Sequence, residues 1–215
     1  MLRVPQSVPV FALPDVVLFP HAPLPLHVFE LRYRTMVRDV LSGGRMFALA
    51  LLRSGWEREY KGNPPLHPLA CLARIDEVEW LVNDCYDLTV TGTVRVELGR
   101  TVRDYPYRSM TVRARDEEPF GADDPLVELE RRALIMAVER FAEHGTLHPA
   151  VAGALDPRID YAQLVNRVAM HLDIAPATRL ALLAEDSVVR RGHRVRELLE
   201  EQLRKPVRKG DGGWN

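Results

Sequence analysis

Lysine is almost missing from this 215-residue chain. Lys61, Lys205 and Lys209 are the only lysines among 29 Lys and Arg residues, which leaves 26 arginines. A phosphate-cradling P-loop needs a lysine between a glycine and a Ser or Thr, and none of the three is so placed. A serine–lysine nucleophilic pair needs a lysine desolvated in a packed site so that its pKa falls. Lys205 and Lys209 lie in a polar tail and Lys61 in a Gly-Asn-Pro-Pro loop, so that chemistry is excluded as well. The Arg excess itself fits the codon usage of a GC-rich genome.

Cysteine is equally scarce. Cys71 and Cys85 are too few for a disulfide scaffold, and Cys71 sits in an apolar strand pattern that predicts a buried, inert thiol. No run approaches the ~18 apolar residues of a membrane span. The start, Met-Leu-Arg-Val-Pro-Gln-Ser, has no apolar core or small-residue cleavage site, so the expected compartment is the cytoplasm. A net charge of −1 and a pI near 6.7 offer no general attraction to nucleic acid or anionic lipid. With 47% apolar and 27% charged residues the chain reads as an ordinary globular protein, long enough for one large domain or two small ones.

The richest stretch runs from Leu13 to Tyr33, LPDVVLFPHAPLPLHVFELRY. Val16 to Phe19 is a short apolar run, Pro20 and Pro23 stop regular pairing, and residues 24 to 29 resume extended structure with Pro25 confined to an edge. The period then changes to 3.6: Phe29, Tyr33, Met36, Val37, Val40 and Leu41 predict one helix face, and Gly43-Gly44 a left-handed stop. Strands are expected at 8–11, 16–19, 24–29, 46–52, 69–82, 86–98 and 107–114, with Asn83-Asp84 turning the most convincing hairpin. So many short strands hide their edges best in a small, partly open barrel.

From residue 121 the pattern is helical. Asp124 caps a helix with Pro125 at its first position and an apolar face of Leu126, Leu129, Leu134, Ala137, Val138 and Phe141. Asp160 with Gln163 starts a second helix, and Pro176 and Ser187 start two more. The fold class is therefore α+β, with a β-rich barrel over 1–120, a four-helix bundle-like subdomain over 121–204 and a frayed tail over 205–215.

Several residues carry the resemblance of the chain to a family. Leu13-Pro14, Phe19-Pro20, Leu24-Pro25-Leu26, Phe29-Glu30 and Arg32-Tyr33 follow, in order, the opening pattern of the Lon protease amino-terminal substrate-binding domain. Gly92-Thr93-Val94-Arg95-Val96 looks like the family's glycine-to-arginine strand, and Leu182 to Asp186 with Arg191 resembles the end of such domains. The resemblance covers residues 8 to 204 and implies a PUA-like pseudo-barrel. It also implies a non-catalytic module that binds unfolded or peptide-like protein segments and stands alone, without the ATPase and protease parts of full-length Lon; cooperation with a separate protease stays open. The family often has Asp-Gly-Arg before the glycine strand, where this chain has Asn83-Asp84-Cys85.

No catalytic, metal or cofactor set is legible. His144 and His148 have helical spacing but Gly145 stands between them, and no third ligand is near. His21 and His27 flank the proline loop and suit loop packing. No serine has a nucleophile elbow. Glu117-Glu118 and Asp123-Asp124 sit at a linker and a cap, without the burial that acid–base work needs. Pro14, Phe19, Pro20, Phe29, Glu30, Arg32, Tyr33, Gly92 and Arg95 are expected to build the domain, and Arg190, Arg191, Arg194 and Arg196, followed by Glu197, Glu200 and Glu201, to form a solvated face. Trp56 and Tyr60, in the polar loop from Ser54 to Pro68, are the expected peptide-binding residues, near a groove between barrel and helices; an exposed strand edge offers a second docking mode. An RNA-binding PUA-like protein and an enzyme with an unrecognised small-molecule site are the alternative readings, though neutral charge weighs against the first.

Overall fold

The structure, a computed structural model, describes residues 4–59, 62–121, 124–144, 151 and 153–204. Tyr60, Lys61, Asp123, Gly145, His148, the His144 side chain and the 205–215 tail lie outside the described residues.

Six strands form one sheet: β1 (Ser7–Leu13), β2 (Pro23–Val28), β3 (Met46–Leu52), β4 (Leu66–Trp80), β5 (Tyr86–Arg103) and β6 (Ser109–Ala114), in the order β2-β5-β4-β3-β1-β6. Because β6 also pairs with β5, five strands close into a barrel and β2 is an extra strand on the outside of β5. Closure removes the free edges that an open sheet would present. Every pairing between these strands is antiparallel except β1 with β3, whose connection runs through β2 and α1 (Leu31–Leu41).

Strand β3, MFALALL, explains its own continuous apolarity: both faces are buried. Ala48 and Ala50 join Val8, Val10, Ala70, Leu72 and Val96 inside the barrel. Phe47, Leu49 and Leu51 point outward into a larger core shared with α1 and the C-terminal helices. Helix α1 meets that core through Tyr33, Met36, Val37 and Val40, a spacing of i, i+3, i+4, i+7. The C-terminal elements are α2 (Pro125–His144), α3 (Tyr161–His171), α4 (Pro176–Ala184) and α5 (Val188–Arg204). Asp124 and Asp160 cap α2 and α3, accepting from Leu126 N at 2.9 Å and Gln163 N at 2.8 Å.

Four expectations are corrected. Residues 16–19 are no strand: Val17, Leu18 and Phe19 are buried, but Pro20 and Pro23 deny a ladder its donors, and a single parallel bridge from Pro20 to Gly92 is all that forms. Phe29 is 63% exposed, because α1 begins at Leu31 and a residue ahead of the cap belongs to no helix face. Neither Gly43 nor Gly44 takes a positive φ; Arg45 does, at 55°, since it must turn its carbonyl to Ile75 N at the start of β3. In α2 the buried face is Val127, Leu134, Ala137 and Val138, while Leu126 and Leu129 point to solvent. Val127, one residue on from Leu126, sets the phase of that helix.

Candidate functional site

Two constellations stand out, one internal and one on the surface. Inside, Arg95 of β5 reaches from the barrel wall into the helices. Its Nη1 donates to the carbonyls of Leu183 (2.9 Å) and Glu185 (3.1 Å), and its Nη2 to that of Asp116 (2.8 Å). Asp186 lies 3.0 Å from Nη1 and Glu117 3.6 Å from Nε. Arg191 of α5 comes to the same place: Nε donates to Leu182 O, Nη2 to Glu185 O, and Nη1 to Asn166 Oδ1, with Glu117 2.7 Å away. Burial pushes the Arg191 pKa down, and Glu117 offsets part of that.

Arg191 is thus fully buried, contrary to the solvated face expected of it together with Arg190, Arg194 and Arg196. Of the arginines on that helix Arg191 alone is buried, and the charge density around it hides the exception. Arg190, Arg194 and Arg196 do lie outward, paired with Glu185 and Glu118, with Glu197 and Glu201, and with Glu200 and Glu130. The guanidinium fork suits this clamp because several carbonyls must be met at once in one plane.

On the surface, a cleft of about 500 Å³ opens between β1, the first turn of α1, residues 62–66 and the β5–β6 connection. Its floor is apolar: Val10 and Leu66, which also pack in the barrel interior, with Ala12, Pro64 and Pro106. Tyr33 stacks on Phe11 at 4.1 Å between ring centroids, and its hydroxyl donates to Ala12 O and accepts from Ala12 N. Leu31, 71% exposed, and Tyr105, 85% exposed, stand at the rim.

Two arginines flank this floor. Arg32 pairs with Glu30 at 3.0 Å and donates to Gly62 O. Arg108 donates from Nη2 to Pro64 O (2.9 Å) and from Nε to Asn63 Oδ1 (3.2 Å); both are neutral acceptors. Partial burial and the Arg32 charge lower the Arg108 pKa, while Asp104 and Tyr33 raise it. Asn63 in turn donates to Asp104, the one carboxylate among the described lining residues.

The expected residues fall in different places. Arg32 and Tyr33 line the cleft, with Glu30 paired to Arg32 beside it; Phe19 and Pro20 meet Gly92 of β5, Pro14 follows β1, and Arg95 belongs to the internal clamp. Trp56, half-buried in a short turn at Trp56–Glu59, lines neither constellation, and Tyr60 lies outside the described residues. Asn63, Tyr105 and Arg108 were missed: Arg108 falls inside the strand expected at 107–114, and Tyr105 lies in the stretch between two expected strands, with a tyrosine beside Pro106 as the one signal there. His27, which contacts Asp87 at 2.6 Å, and His21 are on the surface. Among the described residues no three His, Cys, Asp or Glu side chains gather as metal ligands, and no helix is long and apolar enough to cross a membrane.

The model of the ATP-dependent protease La (LON) substrate-binding domain matches residues 7–201. The chain belongs to the Lon substrate-binding domain family. A crystal structure of a Lon N-terminal domain protein from Xanthomonas campestris is 29% identical, with a TM-score of 0.61 over 92% of this chain and 96% of that one. The N-terminal domain of Mycobacterium avium complex Lon protease shares the fold at 16% identity, with a TM-score of 0.66 over 91% of this chain and 99% of that one. Among curated relatives, Lon protease of Trichlorobacter lovleyi is 24% identical over 94% of this chain and 24% of its own length. Lon protease of Desulfosudis oleivorans is 30% identical over 49% of this chain and 13% of its own length. The chain therefore spans a quarter or less of these two Lon proteases. The Lon family blocks that are separate in sequence, Arg95, Leu182 to Asp186 and Arg191, are one constellation in space.

Proposed function

We propose that this chain is a non-catalytic binding module for unfolded or peptide-like protein segments, working in the cytoplasm, with the Leu31–Tyr105 cleft as its docking surface. The observation that carries the reading is the cleft itself. It sets an apolar floor beneath two large, exposed apolar side chains in a family whose model is that of a substrate-binding domain. Apolar and aromatic side chains presented this way give contact area at low entropic cost, which suits partners with no fixed structure. The 215 residues supply neither a P-loop lysine nor a serine–lysine pair, so the binding step is what they offer. Trp56 and Tyr60 stay in this reading as the further aromatic contacts that the sequence offers.

Fluorescence anisotropy of a labelled, permanently unfolded polypeptide titrated with the protein tests it. Saturable binding is expected, weakened about tenfold or more by Leu31→Asp and by Tyr105→Ala, and less by Trp56→Ala. Absence of saturable binding, or binding indifferent to both cleft variants, would overturn the proposal.

A further inference from the structure

We infer that the cleft takes the free C-terminal end of a polypeptide, holding its carboxylate against Arg108 and its last apolar side chain on the Val10–Leu66 floor. This rests on the reading of the chain as a peptide-binding module and names the part of the peptide it selects.

The described lining carries two guanidinium groups, Arg32 and Arg108, against one carboxylate, Asp104, and the hydrogen-bonding of Arg108 leaves it open to an anion. Glu30 already answers Arg32, and the Asp104 carboxylate accepts from Asn63. Arg108, half-buried beside them, spends its described hydrogen bonds on the neutral oxygens of Pro64 and Asn63. Among the described residues no carboxylate touches that guanidinium, Asp104 acting on it only through its field, and a carboxylate that reaches it meets charge-assisted, forked geometry. The first turn of α1 lines the same cleft, and Glu30 gives it no side-chain cap, so the positive end of the helix dipole adds to the field.

The apolar floor decides between kinds of carboxylate. In an extended chain successive side chains point to opposite sides, so an internal Asp or Glu that reaches Arg108 turns its neighbours away from the floor. The terminal residue carries its carboxylate and its side chain on one Cα. Both then fit the juxtaposition of Arg108 with Val10, Ala12 and Leu66. Capture of a C-terminal carboxylate by oriented donors is an established mode of peptide recognition in general.

The test uses two labelled peptides of one apolar-ended sequence, one with a free C-terminus and one amidated, titrated into the full chain. The free acid is expected to bind about tenfold tighter or more. Arg108→Gln should abolish the difference while leaving the amide's affinity in place, and Arg108→Lys should keep part of it. Because Arg108 also tethers residues 63 and 64, Tyr105→Ala serves as the second variant; it should weaken both peptides alike and keep the ratio. Equal binding of acid and amide to the unmodified protein would overturn the inference while leaving the binding module standing. A ratio that survives Arg108→Gln would also overturn it. Binding of neither peptide would overturn this inference, and with no binding of an unfolded polypeptide the proposed function falls with it.

Discussion

Gly92 lies so close to Phe19 that a Cβ built on the glycine would stand 2.0 Å from the Phe19 carbonyl oxygen and 3.1 Å from Cys71 Sγ. The approach is held by backbone on both sides: His21 N donates to Gly92 O at 2.8 Å, and Gly92 N to Ala22 O at 3.1 Å. The obstruction is backbone, which has no rotamer by which to escape. Gly92→Ala must therefore push the 19–22 segment off β5 and break both bonds. A loss of about 2–4 kcal/mol is expected, read as a lower urea midpoint with an unchanged slope. A variant within about 0.5 kcal/mol of the parent would mean that the segment yields freely.

Gly192 of α5 makes a different close contact, with the tip of a side chain. A Cβ there would stand 2.1 Å from the Tyr161 hydroxyl oxygen. Alanine at an interior helix position gains up to about 1 kcal/mol over glycine, so propensity and packing pull in opposite directions. Packing wins in this geometry, because Tyr161 is 4% exposed and has nowhere to swing. Gly192→Ala is expected to destabilise by about 1–2 kcal/mol net. Among the described residues the buried Tyr161 hydroxyl has no hydrogen-bond partner. Tyr161→Phe should accordingly be neutral or mildly stabilising, and should recover only part of the Gly192→Ala loss in the double variant, because Tyr161 Cζ at 2.8 Å and Val165 Cγ2 at 2.9 Å still crowd the new Cβ. Additive losses in that cycle would show that the hydroxyl is no part of the obstacle.

Acid stability should report the junction between barrel and helices. The Arg115 guanidinium, with Nε 2.7 Å and Nη2 2.9 Å from the two Asp186 oxygens, lowers the Asp186 pKa from 3.8 to about 2, and Arg95 adds to this. The folded pKa is depressed, so the pair's contribution is present above about pH 3.8 and is lost as pH falls through about 2. Asp156 is lowered to about 2 as well, but its partner is Arg158, only two residues away and solvent-exposed, a pairing an unfolded chain can largely retain. Asp186→Asn should therefore flatten the urea midpoint against pH between 4 and 2, and Asp156→Asn should leave that limb in place. The reverse ranking would move the acid-labile contact away from the junction.

The fold was legible where a segment's pattern follows from its own surroundings. Strand β3 reads as a continuous apolar run because both of its faces are buried, and Asp124 and Asp160 announce their helices because a cap is a local hydrogen bond. Where distant partners decide, the pattern misled. Residues 16 to 19 look like a strand and are buried like one, yet the prolines beside them leave only the bridge at Gly92. Arg191 looks like its solvated neighbours, and only the carbonyls of Leu182 and Glu185, the Asn166 side chain and Glu117 turn it inward. The cleft was half legible: the Ser54–Pro68 loop drew notice for its aromatics, but the residues it brings to the cleft are Gly62, Asn63, Pro64 and Leu66, opposite Arg108 from 45 residues further on. A hydrogen bond of that sequence separation leaves no periodic trace.

The two thiols should separate cleanly in reactivity. Cys71 is fully buried against Gly92 and β3, and that burial pushes its pKa up from 9.0 to about 12. The thiolate is the reactive form, so in the folded protein near pH 8 Cys71 is both inaccessible and protonated. Cys85, half-buried just before β5, is the more accessible of the two. Ellman's reagent is expected to titrate one thiol per folded chain at pH 8 and two in urea, with the second appearing at the rate of unfolding. The same burial makes unfolding easier in alkali: the exposed thiol of the unfolded chain ionises above about pH 9 while the folded one stays neutral until about pH 12, so stability falls across that interval. Cys71→Ser would place a hydroxyl in the apolar site and cost about 1–3 kcal/mol, whereas Cys85→Ser should stay within about 0.5. Two fast thiols in the native protein would mean that the Cys71 wall, and with it the Phe19–Gly92 contact, opens far more often than its packing allows.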